Sequence, residues 1–279
     1  KAAQGWATNS ELLVLANGDI LYMYNERPDD HKHHFTIQVL VSKDNGHTWK
    51  RLSTPYVADT EWDNGCWEPS AIQLPSGEIQ LFFANENPYR QSKEQEISMC
   101  RSFDNGKTWT EARAISFRAE HRDGMPVPLV LKDGKGIVCA IEDNGYTLMF
   151  TPTIVWTSME DNWKTCATAA SPNRWSAIKK PTSVEWGGAP YIRQMPSGET
   201  VLSFQSSVGR DQVQMVVYVG DENARNFTGR SVPFELPSKE GGWWNSLFVK
   251  NGTTITAVSS YQGSVWAIDG HIQDIPQKP

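Results

Sequence analysis

Five segments of the sequence repeat one pattern: an apolar alternating run, a short turn with Gly, and a second alternating run. They are LLVLANGDILYMYNE from Leu12, AIQLPSGEIQLFFANE from Ala71, LVLKDGKGIVCAIED from Leu129, YIRQMPSGETVLSFQS from Tyr191 and LFVKNGTTITAVSSY from Leu247. Period-two alternation broken by a Gly turn is the mark of a tight β-hairpin. The turn glycines Gly18, Gly77, Gly134, Gly198 and Gly252 recur at intervals of roughly 55–65 residues, as radial repetition of small sheets requires. A third strand follows each hairpin, beginning at Phe35, Glu96, Thr153, Val213 and Ser264. No window carries apolar residues at helical spacing for more than about two turns. The reading is all-β: one β-propeller domain over residues 1–279, made of four-stranded antiparallel blades, with five repeats visible and no linker dividing them.

Composition narrows the partners. The formal charge of −6 is spread along the chain, which argues against a nucleic-acid surface. No apolar run reaches the roughly 18–20 residues of a membrane span, and the opening KAAQGWATNS lacks the apolar core of a signal peptide. Cys66, Cys100, Cys139 and Cys166 lie far apart without a CxxC pair, so free thiols are expected rather than a zinc or redox motif. The cluster DDHKHH, with His31, His33 and His34, reads as a solvated loop and not a metal site. Twelve Trp in 279 residues supply both core filler and stacking surfaces for sugar rings. No phosphate loop, dinucleotide fingerprint or serine-hydrolase elbow occurs, and no cofactor or metal is expected.

An octapeptide closes the third strand in the first two repeats, as SKDNGHTW from Ser42 and SFDNGKTW from Ser102, with worn copies at Ser158–Trp163 and Gly220–Phe227. Physically it is a turn device: Asp accepts from turn amides, Gly takes a positive φ and Trp packs under the hairpin. It resembles the Asp-box, or BNR repeat, of sialidases and related propeller glycosidases. That resemblance implies that Asp44 and Asp104 lie on the outer rim, opposite the ligand face.

Antiparallel strands alternate direction, so this placement fixes the top of every blade as the start of strand one and the end of strand two. Those positions hold Glu26, Arg27, Trp67, Glu68, Glu86, Arg122, Asp123, Glu142, Asp143, Gln205, Trp244 and Tyr261. Crowded carboxylates beside aromatic planes and amides suit a saccharide pocket. Two carboxylates at one glycosidic bond suffice for hydrolysis, one as general acid and one as nucleophile or base.

Longer phrases resemble glycoside hydrolase family 93, the exo-acting α-L-arabinanases, whose fold is a six-bladed propeller. They are GCWEPSAIQLPSGEIQLFFANEN from Gly65, HRDGMPVPLV from His121, IVCAIED from Ile137 and WGGAPYIRQMPSGETVLSF from Trp186. The resemblance implies a nucleophile at Glu142. The family's acid/base Glu has no counterpart in SFQSSVGRD, where Gln205 to Val208 stand and Asp211 follows. Glu68 is the expected partner acid, with Asp123 and then Glu86 as alternatives. Arg27, Glu26, Trp67, Glu86, Arg122, Gln205, Trp244 and Tyr261 are expected to contact the sugar.

The sequence thus reads as a secreted or periplasmic exo-glycoside hydrolase acting on a terminal sugar, arabinan-type or sialoside-type. A non-catalytic carbohydrate-binding propeller is the rival. The sialidase reading is the weaker enzyme assignment, because Arg27, Arg122 and Arg193 do not assemble in register into an Arg triad.

Overall fold

The computed structural model describes residues 5–147, 149–179, 186–207, 213–236 and 241–272. They form five antiparallel sheets in chain order. Blade one is β1 (Trp6–Val14), β2 (Ile20–Arg27), β3 (Thr36–Ser42) and β4 (Lys50–Val57). Blade two is β5 (Cys66–Gln73), β6 (Ile79–Asn85), β7 (Glu96–Ser102) and β8 (Arg113–Ser116). Blade three is β9 (Asp123–Val130), β10 (Gly136–Asp143), β11 (Thr151–Ser158) and β12 (Arg174–Ser176). Blade four is β13 (Gly187–Gln194), β14 (Thr200–Ser206), β15 (Gln214–Gly220) and β16 (Thr228–Ser231).

Blade five has three strands among the described residues, β17 (Trp243–Val249), β18 (Thr254–Tyr261) and β19 (Ser264–His271). Its outer strand β19 is exposed along its whole length. The all-β propeller and its five repeats agree with the sequence reading, and among the described residues this blade shows three of the four strands expected.

Each blade packs its innermost strand against the next, β1 on β5, β5 on β9, β9 on β13 and β13 on β17. The apolar residues of the alternating runs fill the spaces between blades. Leu21, Ile37, Phe82, Phe83 and Ile97 are wholly buried between the first blades, and Ile154, Leu202 and Phe204 between the third and fourth. All four cysteines are free thiols, three of them buried.

The octapeptides behave as turns. Asp104 Oδ1 accepts from the Thr108 amide at 2.9 Å, and the Thr108 hydroxyl donates to Oδ2 at 2.7 Å. Asp44 does the same with Thr48. These hydrogen bonds, Thr48 or Thr108 first, hold both carboxyls down at about 2. The worn copies keep the device: Asp161 accepts from Thr157 Oγ1, and Asp221 from the Asn223 and Arg225 amides. Gly46 and Gly106 supply the positive φ (86° and 83°) that the turn needs.

Candidate active site

The innermost strands share one irregularity. In each, two residues oppose one on strand two: Asn9–Ser10 against Tyr24, Glu68–Pro69 against Phe83, Met125–Pro126 against Ile141, Ala189–Pro190 against Phe204 and Trp244–Asn245 against Ser259. These are β-bulges, and the first residue of every one is left-handed, with φ of 51°, 49°, 50°, 48° and 56°. Left-handed backbone at a non-Gly residue costs roughly 1–2 kcal/mol, so five aligned cases concentrate strain at one level of the axis. Three bulges place Pro second, where no ladder amide is lost.

The bulges wall a single pocket of about 520 Å³. Its lining is the residue triplet at each bulge, Asn9–Glu11, Glu68–Ser70, Met125–Val127, Ala189–Tyr191 and Trp244–Ser246, together with Thr8 and Arg27. Every blade therefore contributes to the axial site.

Glu68 lines this pocket and Glu142 lies behind it, close enough for its charge to act on Glu68, and each is clamped by the bulge amide of the next blade. The Ala189 amide donates to Glu142 Oε2 at 2.8 Å, and the Met125 amide donates to Glu68. Gly124 and Gly188 make the room. A Cβ on Gly124 would lie 3.0 Å from Glu142 Oε1, and one on Gly188 would lie 2.8 Å from Oε2. Burial raises Glu68 to about 8, with the charge of Glu142 adding to the rise and Arg27 opposing it. Burial likewise raises Glu142 to about 7, against the Ala189 amide and the field of Arg122. Both carboxyls are thus raised by burial, and the charge of one opposes ionisation of the other.

Arg27 reaches the pocket over an aromatic shelf. Its guanidinium lies 4.7 Å from the Trp67 ring and 5.8 Å from Trp62, and it donates to Asn9 Oδ1 at 2.7 Å. Trp67 is itself buried against Phe35 and supports Arg27 from below. Trp244 stands exposed on the pocket wall. Arg122 pairs with Glu86 and Gln95 and acts on Glu142 through its field.

Other anticipated residues are elsewhere. Asp123 is fully buried, bonded to Arg174 Nη1 at 2.7 Å and to Ser116 Oγ at 2.7 Å. Arg174 also pairs with the buried Asp143, which Arg118 holds at 3.0 Å. Asp123 is thus one side of an internal ion-pair cluster, turned away from the pocket that Glu68 faces. Glu26 points into blade one, where Thr36 Oγ1 donates to it at 3.1 Å. Glu86 is bound to Arg122 outside the lining. Gln205 is buried with its Nε2 unpaired, and Tyr261 is buried edge-on to Trp266. Asp211 and Val208 lie outside the described residues. Groups of His, Cys, Asp and Glu that could hold a metal are absent among the described residues.

Sequence reasoning missed Glu11 and Tyr191, which line the pocket below the bulges. The signal was available: EP, MP and AP recur as Glu68–Pro69, Met125–Pro126 and Ala189–Pro190, and a Pro inside an inner strand marks a bulge.

Comparison with known proteins agrees with this architecture. Residues 1–126 match the family model for the glycosyl hydrolases family 32 N-terminal domain. No curated protein matches the chain. The α-L-arabinofuranosidase of Fusarium graminearum, solved with an iminosugar inhibitor, superposes with a TM-score of 0.72 at 17% identity, covering 98% of this chain and 78% of that one. The α-L-arabinanase of Penicillium chrysogenum, complexed with arabinobiose, gives 0.64 at 18%, with 94% and 77% covered. The α-L-arabinofuranosidase of Lactobacillus brevis gives 0.63 at 11%, with 96% and 91% covered. The Fusarium enzyme bound to arabinobiose is a family 93 glycoside hydrolase, and its TM-score here is 0.63 at 14% identity. The chain therefore has the propeller fold of the family 93 arabinofuranosidases and arabinanases, written in five blades.

Proposed function

We propose that the axial pocket is the active site of an exo-acting glycoside hydrolase that removes a terminal, uncharged sugar of the arabinose kind from a glycan. The observation that carries this reading is the pair Glu68 and Glu142, on successive blades, each buried, clamped by a bulge amide and raised well above the usual carboxyl range. Two coupled carboxyls that resist ionising together retain one proton between them, as an acid and a nucleophile or base require, and Glu68, which faces the pocket, is assigned the acid.

In the reaction Glu68 gives its proton to the glycosidic oxygen as the bond to the terminal sugar breaks. Glu142 supplies the electron pair to the anomeric carbon, directly or through a water whose proton it takes. Arg27 orients the sugar, Trp244 offers a ring to stack on, and Arg122 steadies the charge on Glu142. The folds of enzymes solved with arabinobiose and an iminosugar support the sugar class.

An acidic terminal sugar fits less well. Of Arg27, Arg122 and Arg193, Arg27 alone lines the pocket, while Arg122 is paired with Glu86 and Arg193 with Glu11. A polymeric glycan substrate places the work outside the cell, consistent with the secreted or periplasmic reading. The described residues include no helix long and apolar enough to cross a membrane.

Release of 4-nitrophenol from aryl α-L-arabinofuranosides tests the proposal. Glu142→Gln should lower kcat by about a thousandfold or more while leaving the thermal midpoint close to that of the unmodified chain. A non-catalytic carbohydrate-binding module is favoured by one feature, the stretch Gln205 to Val208, which holds no carboxyl where the resemblance implied the acid. Sugar binding without any aglycone release would decide for it.

A further inference from the structure

A third carboxylate lies deeper in the same pocket. Glu11 directly follows the Asn9–Ser10 bulge of β1, and Tyr191 directly follows the Ala189–Pro190 bulge of β13. A bulge pair spans one step of the ladder, so both sit one step, roughly 3 Å, beneath the bulge level. Tyr191 Oη donates to Glu11 Oε1 at 2.9 Å. The bond joins blades one and four, which are not successive, so it crosses the axial space instead of following a blade interface. Arg193 stacks 4.3 Å from the Tyr191 ring, donates to Tyr191 Oη, and lies 3.5 Å from Glu11 Oε1.

The arrangement fixes one oxygen of Glu11 and leaves the other available. Oε2 has no hydrogen-bond partner among the described residues, and the side chain keeps 19% exposure within a pocket whose neighbouring walls at this depth are Ser70, Val127 and Ser246. Burial raises the Glu11 carboxyl, while the charge of Arg193 and the Tyr191 hydroxyl oppose that rise, and the free oxygen can accept from a hydroxyl donor. The fixed partner oxygen removes the rotamer freedom that ligand binding would otherwise have to freeze.

We propose that Glu11 is a specificity-determining residue at the pocket floor, accepting a hydroxyl of a bound uncharged terminal sugar while Tyr191 and Arg193 hold it across the axis. The proposal rests on the reading that the pocket takes a sugar, and it is independent of whether that sugar is cleaved. A purely structural brace between blades one and four is the alternative.

Calorimetric titration with L-arabinobiose separates the two, using the unmodified chain, Glu11→Gln and Glu11→Ala, with a thermal melt of each. A floor contact predicts that Glu11→Ala weakens binding by about tenfold or more, as for loss of a charge-assisted hydrogen bond, and that Glu11→Gln, which keeps an acceptor, recovers part of it. Equal affinity in all three proteins overturns the proposal, even if Glu11→Ala melts lower. Absence of binding to the unmodified chain overturns it as well. Aryl arabinofuranoside hydrolysis is read in parallel: binding that depends on Glu11 in a protein without turnover upholds the floor and removes the hydrolase reading.

Discussion

The Ala189 amide faces Glu142 Oε2 from 2.8 Å, and it holds that direction because Ala189 is left-handed, with φ of 48°. An extended residue at this position would direct its amide along the ladder toward β14. The bulge therefore converts a sheet hydrogen bond into a clamp on a carboxylate, and the Met125 bulge does the same for Glu68. Strain in the inner strands and the proton affinities of the pocket carboxyls are parts of one arrangement.

The first prediction is a narrow pH–rate profile. Glu68 must carry its proton, which it loses above about 8, and Glu142 must be ionised, which it reaches above about 7. Activity on an aryl arabinofuranoside should fall on both sides of a maximum between these values. Because the two groups are coupled, the limbs belong to the pair, and Glu68→Gln should remove the alkaline limb along with most of the rate on substrates with poor leaving groups.

Stability follows the same groups with a definite sign. A carboxyl raised from 4.5 to about 8 binds its proton more tightly in the folded chain than in the unfolded one. Its contribution is fully present below the unfolded value and is lost as pH rises toward 8. Relative to the unmodified chain, Glu68→Gln should thus gain thermal stability on going from pH 4 to pH 9, by on the order of 2 °C or more. Parallel melting curves across that range would expose an opposite trend.

Much of this fold was legible because hairpin alternation is a local signal. Each inner pair of strands could be placed from Gly18, Gly77, Gly134, Gly198 and Gly252 and the runs around them. The outermost strands were not, since β8, β12 and β16 are only three or four residues long and have no periodicity to display. In the site, Glu68, Glu142, Arg27 and Trp244 follow from knowing which end of the blade is the top. Glu11 and Tyr191 do not, because a bulge shifts register by one and turns the residues beyond it onto the face that simple alternation assigns to a neighbouring blade. Asp123, at a strand start, was expected on the ligand face as an alternative acid. Arg174, 51 residues later and on the outermost strand of the blade, encloses it, a pairing with no local trace in the sequence.

A single methyl group should disturb the clamp. The Cβ of Gly188→Ala would meet Trp186 at 2.6 Å and Glu142 Oε2 at 2.8 Å. Glu142 is the more movable neighbour of the two, and displacement of a reacting group by about 1 Å can cost a hundredfold in rate. The expected result is a kcat lowered by about ten- to a hundredfold with KM changed less, measured beside a thermal melt that shows the variant folded.

The octapeptide turns predict the reverse pattern. Asp104→Ala removes the acceptor for the Thr108 amide and hydroxyl and for the Lys107 amide. The variant should melt at a lower temperature and keep its kcat/KM per folded molecule, because the turn lies at the opposite end of the blade from the pocket. A loss of kcat without a loss of stability would contradict the placement of this motif on the far rim.

Asp123 gives the sharpest contrast with Glu68. Both were candidates for the acid, yet Asp123 is enclosed with Arg174, whose side chain is wholly buried between Asp123 and Asp143. Arg174→Ala leaves two buried carboxylates without their shared cation, which should cost about 3–5 kcal/mol and lower the melting midpoint by roughly 10 °C. Asp123→Asn keeps the shape and an acceptor for Arg174 and Ser116, so it should lose less stability and retain kcat within a few-fold. Glu68→Gln should instead lose most of its kcat on natural linkages while folding normally. Measuring kcat and melting midpoint for the three variants together distinguishes proton donor from internal brace, and an Asp123→Asn protein that folds fully but does not turn over would return Asp123 to the chemistry.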